Sequence, residues 1–423
     1  MAKGIKKGFQ GGSIFKYSEP TAIKKAFNFD PADGVNLKVS INDSTGYIEY
    51  GASDSFPQFL IDSVGGSHTA SSCIDTIVSF VQGEGFTDNR LDAIRVNPEE
   101  SWEQMHAQIS QDESYYEGFY LNIRYNPQGL ISYIKKLPFE NCRLGNPDKE
   151  TGKINHIYYN PYFGTADYKE NESIIFPIFN PSKALNEMEA AVEAEEKYLG
   201  QVLFIKEERP QNRWYPIPYY WSGFRWFDVE RKIGEFHNTN LDNNFFVPGI
   251  LKIVGDPDEV VEEIRNKEGE VIRSVTAKES FEAMMSDYFS GSPNTGKMMV
   301  MWSELKDQFP EIEAFPANTN HDLFVTLQNL AVDNIVIACS VPPILGNIQV
   351  SGKLGNSQEI TNSVALMHGR INKKQTKIER VYNRLYNMSI WKNSLGDAEF
   401  VIEPFNFDLV EFGKEEVNGL PTN

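Results

Sequence analysis

The sequence predicts an α+β chain, and three observations carry that prediction. Apolar residues recur at helical spacing in several separated segments, most persistently from Ser357 to about Ser389, where no proline intervenes. Strand-like alternation fills "GFYLNIRYNPQGLISYIKKLP", broken at Asn126-Pro127-Gln128-Gly129, a turn signal between two apolar runs. Between Val247 and Pro316 the composition shifts to short strands and acidic turns, the pattern of a compact inserted unit. A chain of 423 residues has ample material for a buried core and for more than one domain.

In chain order, residues 1 to about 65 are polar and turn-rich ("GGS", "PADG", "SVGG") and read as loosely structured. "HTASSCIDTIVSFVQGEGF" follows as a helix, with Ile74, Ile77, Val78 and Val81 on one face and Gly83 and Gly85 closing it. A second helix spans Trp102 to about Tyr116. The two alternating runs come next, then further strands in "TGKINHIYYN" and "ESIIFPIF". "NEMEAAVEAEEKYLG" is Ala/Glu-rich and suits either a short exposed helix or a mobile connector. An aromatic and proline-containing stretch, "RWYPIPYYWSG", leads into a long helix from about Ser222 to Asn243, its apolar side marked by Phe224, Phe227, Ile233 and Phe236. In the inserted unit, "GILKIVG", "KMMVMW" and "EIEAFP" are the strands, and Phe281, Met284, Met285 and Tyr288 mark a helix. "HDLFVTLQNLAVDNIVIACSVPP" is helical, with Leu323, Leu327, Leu330 and Ile335 on one face and Pro342 ending it. A glycine-studded, nearly uncharged stretch then leads to the longest helix. Its apolar positions are Ile360, Val364, Met367, Ile371, Ile378, Val381 and Leu385; Asn356 with Glu359 resembles a capping box, and Gly369 is a candidate bend. A last strand, "AEFVIEPFNF", precedes an acidic tail, and no internal repeat is present.

Composition excludes several functions. Forty basic against 59 acidic residues gives a formal charge of −19, which argues against gripping nucleic acid through a broad basic footprint. It does not argue against surrounding DNA that slides past, because like charges repel. Cys73, Cys142 and Cys339 have neither CxxC spacing nor a histidine at ligand spacing, and read as buried free thiols. The basic N-terminus "MAKGIKKGFQGG" lacks an apolar core, and "NIVIACSVPPIL" is too short and proline-broken to span a bilayer, so no membrane partner is expected.

Signals for catalysis are poor. "GSPNTGKM" places Gly291, Gly296 and Lys297 as in a phosphate-cradling GxxxxGK loop. Position 298 is Met, however, which removes the hydroxyl that would hold magnesium. The segment also runs from helix to strand, the reverse of the order that aims helix N–H groups at phosphate. His68, His106, His156, His237, His321 and His368 form no HxH or HExxH pattern, and Asp256 and Asp258 sit in an acidic run that reads as a solvated face. No cofactor is expected, and the chain does not read as an enzyme.

Architecture remains. The long helix after residue 357 carries Arg370, Lys373, Lys374, Lys377, Arg380 and Arg384. That basic set reads either as a solvated face or as inter-subunit contacts to an acidic surface such as 186–200.

The order of these elements resembles the portal proteins of tailed bacteriophages, in the branch of lambdoid and defective-prophage portals. The likeness rests on "SCIDTIVSFVQGEGF", on "YPIPYYWSGFRWFDVERKIGEFHNTNLDNNFFVPGIL", and on "IVIACSVPPILGN" with its Val-Pro-Pro and Leu-Gly steps. A fourth element is the following helix, with Asn372, Lys374 and Gln375 leading to "IERVYNRL". It spans about residues 65 to 410, in order and spacing more than in any one motif. The resemblance implies an N-terminal arm and wing over 1–215, stem helices over 216–245 and 319–341, and a clip over 246–318. A tunnel loop follows over 342–356, then a long kinked wing helix with a closing strand over 357–413 and an acidic tail over 414–423, with the crown minimal or absent. It further implies a ring of about twelve copies at a capsid vertex of the virion, assembled in the host cytoplasm. Double-stranded DNA would pass through it. The major capsid protein, the terminase large subunit and a head–tail adaptor would be its partners, and the ATP-driven motor would belong to the terminase. The glycine loop would then face the channel with Gly346, Asn347, Gln349, Ser351, Gly352, Lys353, Gly355 and Asn356. Glycines would let backbone approach and shift, and Lys353 would be its one cation. The same loop also reads as an ordinary surface connector, and two other functions stay open: a non-portal phage structural or adaptor subunit, and an NTP-binding enzyme using Gly291–Lys297.

Overall fold

The computed structural model describes residues 45–51, 54–210, 214–242, 250–254, 256, 258–265, 271–280, 299–303, 321–346 and 357–405. Its first helices are α1 (Phe56–Gly65), α2 (His68–Gln82), α3 (Asn89–Asp92) and α4 (Trp102–Tyr116). Strands β1 (Gly118–Tyr125), β2 (Ile131–Leu137), β3 (Cys142–Leu144), β4 (His156–Tyr159) and β5 (Ile174–Pro177) follow, then α5 (Ala184–Glu193) and β6 (Gln201–Lys206). Beyond them lie α6 (Phe224–Asp242), β7 (Ile250–Val254), β8 (Val260–Arg265), β9 (Val271–Thr276) and β10 (Met299–Ser303). Helices α7 (His321–Cys339), α8 (Ser357–Asn387) and α9 (Lys392–Leu395) complete the order. The chain is mixed helix and sheet, as its periodicities predict.

Two compact units divide it. Among the described residues the larger holds everything up to Glu230 and everything from Asn329, and the smaller runs from Arg231 to Gln328. The division falls inside α6 and inside α7.

In the larger unit α2 starts where Ser67 Oγ accepts from Ala70 N, and stops at Gly83, whose φ of 65° favours glycine. Helix α4 begins with a full capping box from Ser101 and Gln104. The turn at Asn126–Gly129 joins β1 to β2, and β6 pairs antiparallel on the other side of β1, giving the order β2-β1-β6. Central β1 is buried along nearly its whole length. A second sheet, β3-β4-β5, is antiparallel throughout.

Aromatic pairs fill the core. Tyr50 stacks on Tyr215 at 4.2 Å, Tyr116 on Phe139 at 4.2 Å, and Trp102 lies 4.4 Å from Phe400. Each such pair contributes on the order of 1 kcal/mol beyond the area it buries. Helix α8 drives Met367, Ile371, Ile378 and Leu385 of its expected stripe into this core and adds Tyr382 and Tyr386, whereas Ile360, Val364 and Val381 are only half-buried; the helix continues through Gly369. Asn383 donates to Phe400 O at 2.9 Å and accepts from Phe400 N at 2.8 Å, so one side chain ties the C-terminal segment to α8.

Four expectations need correction. The region before residue 65 is not all loose: Ile48 and Tyr50 are fully buried, and Phe56–Gly65 is helical with Pro57 in its first turn. Strands β3 and β6 go unread in the sequence, β3 because it has only three residues and β6 because "VLFI" is a continuous apolar run without alternation. "AEFVIEPFNF" is not a strand along its described part; Ile402 makes a single bridge to Phe86, flanked by backbone hydrogen bonds to residues 84, 85 and 87. Among the described side chains of α7 the buried ones are Ala331, Ile335, Val336 and Cys339, whereas Leu330 is 47% exposed and Ile337 72% exposed; the side chain of Leu323 lies outside them.

In the smaller unit β7 pairs in parallel with β10, and β8 pairs antiparallel with β9. The acidic run at 256–263 thus turns at Asp256, whose Oδ1 accepts from Asp258 N, and then enters a strand. Phe236 of α6 stacks on Phe324 of α7 at 4.8 Å. The expected strand in "EIEAFP" and the expected helix at Phe281–Tyr288 lie outside the described residues.

Candidate functional site

The site the sequence singles out is the glycine loop, and the structure shows how its root is held. Cys339 ends α7, Ser340 takes a left-handed φ of 56°, and Pro343–Gly346 form a 3-10 turn. Helix α2 clamps that turn. Ser72 Oγ donates to Gly346 O at 3.0 Å, and Thr76 Oγ1 donates to Leu345 O at 3.0 Å. From α8, the Arg370 guanidinium donates to Ser340 O. Gly346 is therefore a buried anchor, not part of a freely exposed loop. Asn347, Gln349, Ser351, Gly352, Lys353, Gly355 and Asn356 lie outside the described residues, as does the proposed cap at Asn356.

The six basic residues of α8 lie on one broad side of the helix but do not share one environment. Lys374 and Lys377 turn inward to Glu113 of α4, a side chain with no exposure, at 3.2 and 2.7 Å. Glu117 lies 3.7 Å from Lys374 and also receives Arg209 at 2.9 Å, while Glu207 lies 3.5 Å from Lys377. Lys374 and Lys377 lie three apart on α8 and Glu113 and Glu117 four apart at the end of α4, so each pair lies on one side of its helix. These two lysines tie α8 to α4 within the chain. Arg370, Lys373, Arg380 and Arg384 stay exposed, and Arg384 lies over the Phe179 ring at 5.3 Å. The acidic 186–200 segment is half helix, with Glu189, Glu193, Glu195 and Glu196 exposed.

Between the end of β6 and α8 lies an open groove of about 690 Å³, where Lys373 and Arg380 face Phe204, Ile205 and Glu208. Burial pushes the Lys206 ammonium at its edge below its ordinary pKa.

Helix α2 is the structural centre of this region. At its N-terminus Glu230 of α6, only 4% exposed, accepts from Ser67 Oγ, from Thr69 Oγ1 at 2.6 Å and from Thr69 N at 3.3 Å. A carboxylate there also meets the positive end of the helix dipole. At its other end Gln375 of α8 donates to Phe80 O at 3.0 Å, and His106 bridges Gln82 O and the Tyr382 hydroxyl. Burial pushes the His106 imidazole down to about 4, so it is neutral at physiological pH. Deeper still, Arg143 reaches Asp54, and Lys136 meets Asp112 at 2.8 Å. Burial pushes the Asp112 carboxyl up to about 7.

Sequence reading missed Glu113, Glu230, Ser72 and Thr76. Nothing local to Ser67 points to a glutamate 163 residues away. Among the described residues no group of three or more His, Cys, Asp or Glu could hold a metal ion, and no helix is long and apolar enough to cross a membrane. Gly291, Gly296 and Lys297 lie outside the described residues.

No family model matches the chain, and no curated protein matches it. Among solved structures, it is similar to a chain in the virion of a native gene transfer agent particle, with a TM-score of 0.48 and 13% identity over 84% of each chain. It is also similar to a chain in the neck of the native particle computed with C12 symmetry, with a TM-score of 0.49 and 13% identity over 84% of this chain and 85% of that one. A chain in the neck of the empty particle computed with C6 symmetry gives a TM-score of 0.48 and 13% identity, with the same coverage.

Proposed function

We propose that the chain is one subunit of a portal-type ring in the virion of a phage or phage-like particle. The ring stands at a capsid vertex and encloses the channel through which double-stranded DNA enters and leaves. The observation that carries this reading is the order of elements: two 19-residue helices, α6 and α7, bracket a separate β-containing unit, and a clamped turn then leads through the glycine stretch into a 31-residue helix. That order accompanies the sequence resemblance over most of the chain. An acidic chain suits a channel that repels its cargo, since phosphate slides past carboxylates without locking. On this reading residues 347–356 face the channel, with Lys353 as a sparse cationic contact.

The subunit does no chemistry of its own; the terminase large subunit supplies the ATP-driven force, and the major capsid protein and a head–tail adaptor are the other neighbours. Negative-stain microscopy and native mass measurement on the full chain test the proposal. A closed ring of about twelve copies with a central hole supports it. A monomer or a low-order oligomer without a hole overturns it, as does phosphate release from ATP that Lys297→Ala abolishes.

A further inference from the structure

Strand β6 is the edge of its sheet, and its second half borders the open groove on α8. Just past its end, Glu207 N donates to Glu117 O, so the odd-numbered residues of β6 pair with β1. Val202 O accepts from Phe179 N, so the even-numbered residues turn outward. The Phe204 amide and carbonyl therefore point away from β1 and toward the groove, an edge with which an extended segment can pair. Across the groove Lys373 and Arg380 are exposed, and among the described residues neither is in an ion pair.

Two long stretches outside the described residues differ in charge. Residues 1–44 carry seven lysines against four carboxylates, the sign of the groove's exposed cations. Residues 406–416, "NFDLVEFGKEE", carry Asp408, Glu411, Glu415 and Glu416 against Lys414 alone, with Phe407, Leu409, Val410 and Phe412 among them. This second stretch also starts beside the groove. Phe405 lies 5.2 Å from Phe80, and Phe80 lies 5.2 Å from His368 of α8. From His368 the i, i+4 row of α8 runs through Asn372 and Thr376 to Arg380, all three in the groove's lining. That row is about 18 Å long, and the stretch 406–416 reaches about 35 Å when extended.

We propose that residues 406–416 dock in this groove of their own chain, adding as a strand to the outer edge of β6 with their carboxylates against Lys373 and Arg380. Exposed ion pairs by themselves contribute little. Backbone bonds to β6 and apolar side chains against Phe204 and Val381 hold the segment, and the cations select an acidic one. The docking involves one chain alone and holds with or without a ring.

The test uses the full chain. Zero-length carbodiimide coupling joins amines to carboxylates in contact, and peptide mapping by mass spectrometry identifies the joined pairs. Expected is a Lys373 cross-link to Asp408, Glu411, Glu415 or Glu416 within one chain, with a yield that falls at about 0.5 M salt. Arg380→Glu, at an exposed position, should lower that yield several-fold and speed exchange of the Phe204 amide about tenfold. Neutralising the segment with Asp408→Asn, Glu411→Gln, Glu415→Gln and Glu416→Gln should speed the same exchange, and chymotrypsin should then cut faster after Phe407 and Phe412. Lys373 coupling to Glu207 or Glu208 but never to the segment would overturn the proposal. So would a Phe204 amide that exchanges equally fast in all three chains. Cross-links that form only between light and heavy copies in an isotopically mixed sample would place the segment on a second copy, and would overturn it too.

Discussion

Replacing Glu113 with Gln tests whether α8 is held by contacts within its own chain. The carboxylate is wholly buried, and it neutralises Lys374 at 3.2 Å and Lys377 at 2.7 Å. Breaking a buried pair by removing one partner costs about 3–5 kcal/mol, because the survivor stays charged away from water. Both lysine side chains keep 16–18% exposure, and Glu117 and Glu207 remain within 3.7 and 3.5 Å, so the lower end applies. The expected loss is about 3 kcal/mol, which for a chain of this size lowers the melting temperature by about 5 °C. Denaturant unfolding gives the free energy directly. A cycle with Lys377→Met should show coupling of about 1 kcal/mol or more, since the double variant leaves one cation, Lys374, beside the lost carboxylate where the single variant leaves two. The oligomeric state of the unsubstituted chain, read by native mass measurement, should be retained. A loss below about 0.5 kcal/mol, or intact stability with an altered oligomeric state, would refute the reasoning.

Two further outcomes follow from the buried groups and the closing contact. His106 and Asp112, on one helix, respond to pH in opposite directions. His106, folded near 4 against an ordinary 6.5, contributes stability that is present above 6.5 and lost as pH falls toward 4, about 3 kcal/mol at most. Asp112, folded near 7 against an ordinary 3.8, contributes stability that is present below 3.8 and lost as pH rises through 7. Asp112→Asn should therefore compare better with the unsubstituted chain at pH 8 than at pH 4, by about 2 kcal/mol after allowance for the Lys136 contact, whereas His106→Gln should do the reverse. Denaturation series across that range check this, and pH-independent differences would contradict it. Gly83→Ala should cost about 3 kcal/mol or more, because φ is 65° and the added Cβ would lie 2.1 Å from Glu403 O. Limited proteolysis should then cut the segment near residue 400 faster, and an unchanged cleavage rate would show that the backbone gives way cheaply.

Local chemistry made much of this fold legible. The apolar stripe of α8, the glycine stop of α2, the Ser101–Gln104 cap and the turn at Asn126–Gly129 are all written within a few residues of where they act. What escaped notice is long-range or short. Strand β3 spans only Cys142–Leu144, too few residues to show a period. Residues 260–265 carry adjacent glutamates, so their strand reads as a solvated turn. Leu330 looks apolar enough for the core yet faces outward, because burial on α7 follows Ala331, Ile335 and Cys339 instead. At the loop, glycine content pointed to freedom, and the clamp from Ser72 and Thr76 at Gly346 has no local signal at all. Likewise a list of six cations cannot tell two that face a buried glutamate from four that face solvent.

The fifteen residues of α2 hold Glu230 at one end and the Pro343–Gly346 turn midway, and meet α8 at the other end. One rod thus serves as a common hinge pin for three otherwise distant stretches of chain. Any tilt of that rod moves the seat of Glu230 and the foot of the glycine segment together, so neither can be repositioned while the other stands still.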